Sequence, residues 1–143
     1  MLYVAIGALV SGCRKLASEQ KSALDSASST LEVDCAEEDL MISLEEYPEL
    51  QMINGSAHIS FPDQFVHLLV VKIAEEYWTA VWKICTHGNC EVEWRSSLGV
   101  VQCPCHDSWF DIDGRVLQGP ATRDLSVYSV CRKENLLYLK KTG

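Results

Sequence analysis

The sequence predicts an all-β domain, an antiparallel sandwich or barrel, set behind an N-terminal anchor and tether. Three observations lead there. From Leu40 onward, short runs rich in β-branched and aromatic residues recur at close spacing and are divided by turn signals. A length of 143 residues accommodates one domain plus an extension and leaves no room for a second sizeable core. With 48% hydrophobic and 22% charged residues the composition is ordinary for a globular chain, which excludes disordered, collagen-like and coiled-coil classes. There are no internal repeats.

The elements follow in order. Leu2 to Val10 is an apolar run closed by Ser11, Gly12 and Cys13. It is well short of the roughly 20 residues that span a bilayer as a helix, and has the length of a secretory h-region. Residues 1–12 are therefore expected to be a signal or anchor. Val10-Ser11-Gly12-Cys13 is similar to a bacterial lipobox, which makes Cys13 a lipidation candidate. No Lys or Arg precedes the run, so the alternative is a membrane anchor whose start lies upstream. Residues 13–39 read as a tether: Arg14 to Asp34 is rich in Ser and Ala and has no aromatic residue. The domain itself is expected over 40–143. Its candidate strands are Leu40–Leu44, Ala57–Phe61, His67–Ala74, Tyr77–Ile84, Val100–Gln102, Arg115–Leu117, Leu125–Val130 and Leu136–Leu139. Tyr47-Pro48 and Asn54-Gly55 mark turns, and Glu75-Glu76 joins two strands as a hairpin.

Twelve basic residues against twenty acidic ones give a net charge of −8, which argues against nucleic acid as a partner. Between Ser22 and Val71 there is no Lys or Arg, and half of all the acids fall there. Such a run is either a solvated face or a surface that speeds encounter with a basic partner such as a cytochrome c.

The informative count is seven cysteines, an odd number that cannot be paired entirely with itself. Two segments concentrate the metal-ligating side chains: Cys85-Thr86-His87-Gly88-Asn89-Cys90 and Cys103-Pro104-Cys105-His106-Asp107-Ser108. Each follows an apolar strand, so each is expected on a loop at a strand end. Zinc accepts Cys and His, but usually as C-x-x-C or H-x-x-x-H units. Here each loop contributes a Cys with a His, spaced C-x-H and C-x-x-H.

This double pattern resembles the Rieske iron–sulfur proteins, most closely from Cys85 to Leu125. The likeness continues through Phe110-Asp111, Gly114, Val116 and Gly119-Pro120-Ala121, the last matching the family's proline loop over the cluster. In that family two histidines replace two cysteines on one iron of a [2Fe–2S] cluster, which raises its potential. The resemblance implies a Rieske-like β-fold with a cluster-binding part at about 85–121. It assigns Cys85 and Cys103 to one iron, and His87 and His106 to the other. It pairs Cys90 with Cys105 in a disulfide, a feature of the quinol-oxidising branch. It also places Ser108 as a hydroxyl donor to a bridging sulfide. The outward ring nitrogens of the two histidines would couple electron transfer to proton transfer.

Three departures bear on the potential. Phe110 stands where high-potential members carry a Tyr whose hydroxyl bonds a ligating sulfur. Asp107 replaces a glycine; it tolerates a left-handed backbone, but brings a negative charge that disfavours reduction. Gly88-Asn89 removes an apolar side chain from the docking tip. A potential in the lower or middle part of the family's range, roughly −150 to +300 mV, is therefore expected, suited to menaquinol.

Cys35 and Cys131 remain, either as a second disulfide or as two buried thiols. Trp78, Trp82, Trp94 and Trp109 are expected to pack, His58 and His67 to be ordinary strand residues, and Asp111-Ile112-Asp113-Gly114 to be a turn rather than a calcium loop.

The implied function is one-electron transfer from a quinol, at a membrane cytochrome b-type subunit, to a c-type cytochrome. No independent catalysis is expected. The site would lie on the extracytoplasmic (periplasmic) face of a bacterial envelope, held at the membrane surface by the N-terminal anchor. The alternatives are a Rieske subunit of a periplasmic molybdenum oxidase of the arsenite-oxidase type and, more remotely, a zinc-bound structural module. Family members usually cross the membrane folded behind a twin-arginine signal, whereas Arg14-Lys15 follows the apolar run here.

Overall fold

A run of consecutive apolar residues, Leu68 to Val71, has no polar face to turn to water, so both of its faces must be covered. In the computed structural model, which describes Cys35 and residues 40–142, this is what happens. Leu68 and Val70 point into one hydrophobic core, and Leu69 and Val71 into a second.

Ten strands build the domain: β1 (Leu40–Ser43), β2 (Ser56–Phe61), β3 (Val66–Ala74), β4 (Tyr77–Trp82), β5 (Glu93–Arg95), β6 (Val100–Cys103), β7 (Ser108–Phe110), β8 (Val116–Gln118), β9 (Val127–Lys133) and β10 (Leu136–Lys141). Six form a sheet in the order β1-β10-β9-β4-β3-β2, and four form a smaller one in the order β5-β6-β7-β8. Every pairing is antiparallel. The all-β antiparallel expectation therefore holds. The chain leaves the large sheet after β4, builds the small sheet, and returns at β9.

The larger core lies on one face of the six-stranded sheet. Cross-strand pairs Leu40–Leu139 and Ile42–Leu137 contribute to it, with Leu50, Ile59, Trp78 and Ala80. The smaller core lies between β3 and β4 on one side and the small sheet on the other, and gathers Val81, Val92, Val101 and Phe110 around Cys85 and Cys103. The candidate ligands are thus tied to the second core and the larger fold to the first.

Two short 3-10 turns, Pro48–Gln51 and Pro62–Gln64, replace strand between β1 and β3. The Asn54-Gly55 turn is required sterically: Asn54 has φ of 68°, and a Cβ on Gly55 would lie 1.8 Å from the Glu49 carbonyl oxygen. Trp78 is buried and donates to the Leu50 carbonyl at 2.9 Å, fastening this turn to β4. Cys35, which precedes β1, is bonded to Cys131 of β9.

Several strands differ from expectation. β5 and β7 are three residues each and were not distinguished from loop by their sequence, because Glu93, Arg95 and Asp107-Ser108 dilute the apolar signal. β9 begins at Val127 rather than Leu125, since Leu125 N–H bonds the Gly114 carbonyl at 2.8 Å instead of joining the ladder. The apolar run 2–10, the lipidation candidate Cys13 and nearly all of the tether lie outside the described residues. Among the described residues no helix is long and apolar enough to cross a membrane.

Candidate metal centre

Two loops converge at one end of the small sheet. The first, Cys85–Cys90, leaves β4 through a closed neck: Val92 N–H bonds the Lys83 carbonyl at 2.7 Å, and Cys85 N–H bonds the Cys90 carbonyl at 2.8 Å. The Lys83 ammonium meets the Glu91 carboxylate at 2.8 Å across the same neck. The second loop joins β6 to β7, whose register places Cys103 opposite Ser108. It turns tightly, with Asp107 N–H on the Cys103 carbonyl at 3.0 Å and Asp107 at φ of 60°. The left-handed backbone expected at this position is present. Cys90 and Cys105 form a disulfide between the two loops.

Within this frame the four candidate ligands separate by depth. Cys85 and Cys103 are free thiols, 4% and 1% exposed. His87 and His106 are exposed, with ring centroids 4.8 Å apart and planes nearly perpendicular. Two sulfur donors therefore lie inside and two nitrogen donors outside. Among the described residues no three His, Cys, Asp or Glu side chains converge on a common point as a single-ion site requires. Two pairs of donors instead fit a two-iron centre that takes one pair per iron.

The thiols are electrostatically unlike. Burial works to raise the Cys85 thiol, but backbone N–H groups of His87 and Gly88, with the side chains of Cys103 and Ser108, outweigh it and hold its pKa below the usual range. Burial pushes the Cys103 thiol up, and the neighbouring Cys85 sulfur adds to this, against backbone N–H groups of Cys105 and His106. One thiolate is stabilised and a second resisted, so a bound cation would release the second proton.

A third segment covers the pair. Gly119–Pro120 is a cis peptide, and Ala121 N–H donates to Ser108 Oγ at 2.9 Å. Ser108 and Phe110 are fully buried. Thr86 Oγ1 donates to the Arg123 carbonyl, so the covering segment is tied to both loops. Asp107 is exposed and held in place by the Trp109 indole N–H at 2.7 Å and by the Gln102 amide; these donors lower its pKa. Gln118 Nε2 braces the same turn from β8, at 3.1 Å from the Asp107 carbonyl.

The Rieske [2Fe–2S] domain family matches residues 19–129 of this chain. The chain belongs to the Rieske family. Its cofactor is accordingly a Rieske [2Fe–2S] cluster, and the two-and-two donor set described above suits it. Among curated relatives of this Rieske chain, the cytochrome b6-f complex iron-sulfur subunit of Prochlorococcus marinus (strain MIT 9301) is 33% identical over 75 residues, 52% of this chain and 42% of that one. The subunit of the same description from Chlorobaculum tepidum is 40% identical over 52 residues, 36% of this chain and 29% of its own length. The matches thus span less than half of these relatives. The crystal structure of the cyanobacterial plasma membrane Rieske protein from Synechocystis PCC 6803 superposes with a TM-score of 0.57 at 29% identity, covering 71% of this chain and 99% of that one. The fold is shared with a hyperthermophilic respiratory Complex III chain, at a TM-score of 0.52 and 22% identity over 68% of this chain and 71% of the other.

Several supporting residues carry no recognisable sequence signal. Gln102, Gln118 and Glu91 act through contacts that the fold alone creates. Lys83 could have been found, since a lysine directly before Ile84-Cys85 at the end of an apolar strand needs a partner. His58 and His67 are ordinary strand residues, as expected. His58 bonds the Val92 carbonyl and Glu91, and His67 bonds Ser60. Asp111–Gly114 is a turn in which Asp111 Oδ1 accepts the N–H groups of Asp113 and Arg115.

Proposed function

We propose that this chain is the electron-carrying subunit of a membrane-bound quinol-oxidising complex. Cys85 and Cys103 hold one iron, and His87 and His106 the other. The partners are a quinol at a cytochrome b-type subunit and a c-type cytochrome, on the extracytoplasmic face, with Cys13 as the lipid anchor. The observation that carries this reading is the pairing of two buried thiols with two adjacent exposed imidazoles on loops joined by the Cys90–Cys105 disulfide. The similarity to cytochrome b6-f iron-sulfur subunits supports the class of partner.

When bound, the cluster supplies a one-electron site. The chain does the rest. The exposed histidines give a partner its shortest approach and keep a ring nitrogen available to take a proton. The disulfide and the Ser108–Ala121 bond fix the loops, so little reorganises on electron transfer. The smaller core excludes water from the sulfur side. Menaquinol is the donor that fits: Phe110 has no hydroxyl to offer a ligating sulfur, Asp107 adds a fixed negative charge, and Gly88-Asn89 leaves the tip polar.

Electron paramagnetic resonance of reduced native membranes, titrated against potential at several pH values, tests the proposal. A Rieske signal that responds to a quinol-site inhibitor is expected. Insensitivity to the inhibitor would overturn the quinol role and point to a subunit of a periplasmic molybdenum oxidase.

A further inference from the structure

Beside the first loop lies an open cleft of about 550 Å³. Its walls include Thr86 to Asn89 of that loop, with Trp82 and Tyr128 among its lining residues, and none of them comes from the second loop. It therefore opens on the first-loop side of the candidate centre, against Cys85 and His87. Its construction follows from strand register. Lys141 is the cross-strand partner of Tyr128, which puts both side chains on one face of the large sheet. Trp82 N–H bonds the Ser126 carbonyl at 2.7 Å and closes the floor. Arg123 is held on the rim by the Thr86 hydroxyl on its carbonyl.

The charge at this cleft runs against the rest of the molecule. In a chain of net charge −8, Arg123 and Lys141 both line it, and among the described residues neither takes part in an ion pair. Among the described residues, four of the seven other Lys and Arg are in ion pairs: Lys72 with Glu75, Lys83 with Glu91, Arg95 with Glu93, and Arg132 with Glu76. The one acid of the cleft, Asp124, accepts the Val116 N–H at 2.8 Å through Oδ1, so two cations face one carboxylate there. Two cations that outnumber the single carboxylate, beside Trp82 and Tyr128 and with the Asn89 amide alongside, suit a small oxyanion better than an apolar ligand.

We infer that this cleft binds a small oxyanion, a phosphate or a short dicarboxylate, and binds it more tightly when the protein is oxidised. The second part rests on the assignment of Cys85 and His87 as ligands. Both residues line the cleft, so an added electron raises the negative charge the anion faces. By reciprocity the anion lowers the midpoint potential. At saturation the shift is about 59 mV for each tenfold preference for the oxidised form.

Titration calorimetry of the oxidised, cluster-loaded protein with inorganic phosphate and, separately, succinate tests the site, with ionic strength held constant by chloride. One-to-one binding of at least one of them is expected, and their relative affinities distinguish the two sources of the anion. The R123Q/K141Q double variant changes only exposed side chains and should weaken binding at least tenfold while keeping its circular dichroism. Redox titration should show a midpoint that falls with the anion in the wild type and stays fixed in the variant. Absence of binding to the wild type, or equal binding by the double variant, would overturn the site. Binding with an unmoved midpoint would overturn its link to the redox state while leaving the quinol-oxidising role standing.

Discussion

Lys83 and Glu91 meet at 2.8 Å across the neck of the first loop, two residues before Cys85 and one after Cys90. The lysine side chain is about 10% exposed and the glutamate 48%, so the pair lies between the surface and the core. The hydrogen bond from Lys83 is the main cause of the lowered Glu91 pKa.

Glu91→Gln leaves a nearly buried ammonium without its counter-charge. The expected cost is about 1–2 kcal/mol, between the value for exposed pairs and that for fully buried ones. The pH dependence has a definite sign. Because the folded pKa of Glu91 is depressed, its contribution is present above the ordinary value of 4.5 and is lost as pH falls through the lower folded value. Urea unfolding between pH 3 and 6 should show this acid limb shallower in the glutamine variant.

The charge on Asp107 and the missing hydroxyl at Phe110 both lower the expected potential. Asp107→Asn keeps an amide oxygen for the Trp109 indole and removes the charge, so the midpoint should rise. Phe110→Tyr introduces a hydroxyl at a fully buried position in the core that holds Cys85 and Cys103. Where that hydroxyl reaches a ligating sulfur, a differential bond of about 1.4 kcal/mol raises the midpoint by about 59 mV. Redox titration of both variants checks this. A wild-type midpoint at the top of the range of roughly −150 to +300 mV would contradict the low-potential assignment.

The sequence carried most of the domain where the signal is local and less where it is not. β3 and β4 were legible because the long, mostly apolar and aromatic runs His67–Ala74 and Tyr77–Ile84 leave little choice, and the Asn54-Gly55 turn because its chemistry is specific. β5 and β7 were not, because three residues such as Glu93-Trp94-Arg95 become strand only through pairing with β6. The division of one apolar run between two cores likewise depends on the excursion of the chain into the small sheet. Both loops were legible, since closely spaced Cys and His are rare by chance. Their supports were not: Gln102, Gln118 and Thr86 look like any polar surface residue until the fold brings them to Asp107 and Arg123. Cys35 and Cys131 were left open between a disulfide and two thiols, because 96 residues separate them and only the folded chain brings them together.

The two disulfides should separate stability from cofactor retention. Cys35–Cys131 closes a loop of 96 residues, and opening it with Cys35→Ser and Cys131→Ser should cost roughly 2–5 kcal/mol by the loop-entropy account. It joins the large sheet, away from the two loops, so the midpoint should not move. Cys90–Cys105 spans 15 residues and should contribute about 2–3 kcal/mol. Opening it frees both ligand loops, so loss of the cluster should quicken. Cluster absorbance followed over hours, with urea unfolding of the same variants, distinguishes the two.

Ser108 makes two contacts that substitution can pull apart. Its Oγ accepts the Ala121 N–H at 2.9 Å, and its side chain helps to hold the Cys85 thiol pKa down. Ser108→Ala strands a buried N–H, which costs about 1–3 kcal/mol, and withdraws a donor that stabilises negative charge on sulfur. Stability and midpoint should therefore both fall, the latter by tens of millivolts on the conversion of 59 mV per tenfold. Ser108→Thr retains the hydroxyl but adds a methyl group at a position with no exposed surface, so stability should fall by about 1–3 kcal/mol of overpacking. Its midpoint should stay near the wild-type value. A purely structural serine would make the two variants alike in potential, and the redox titration of the pair decides between them.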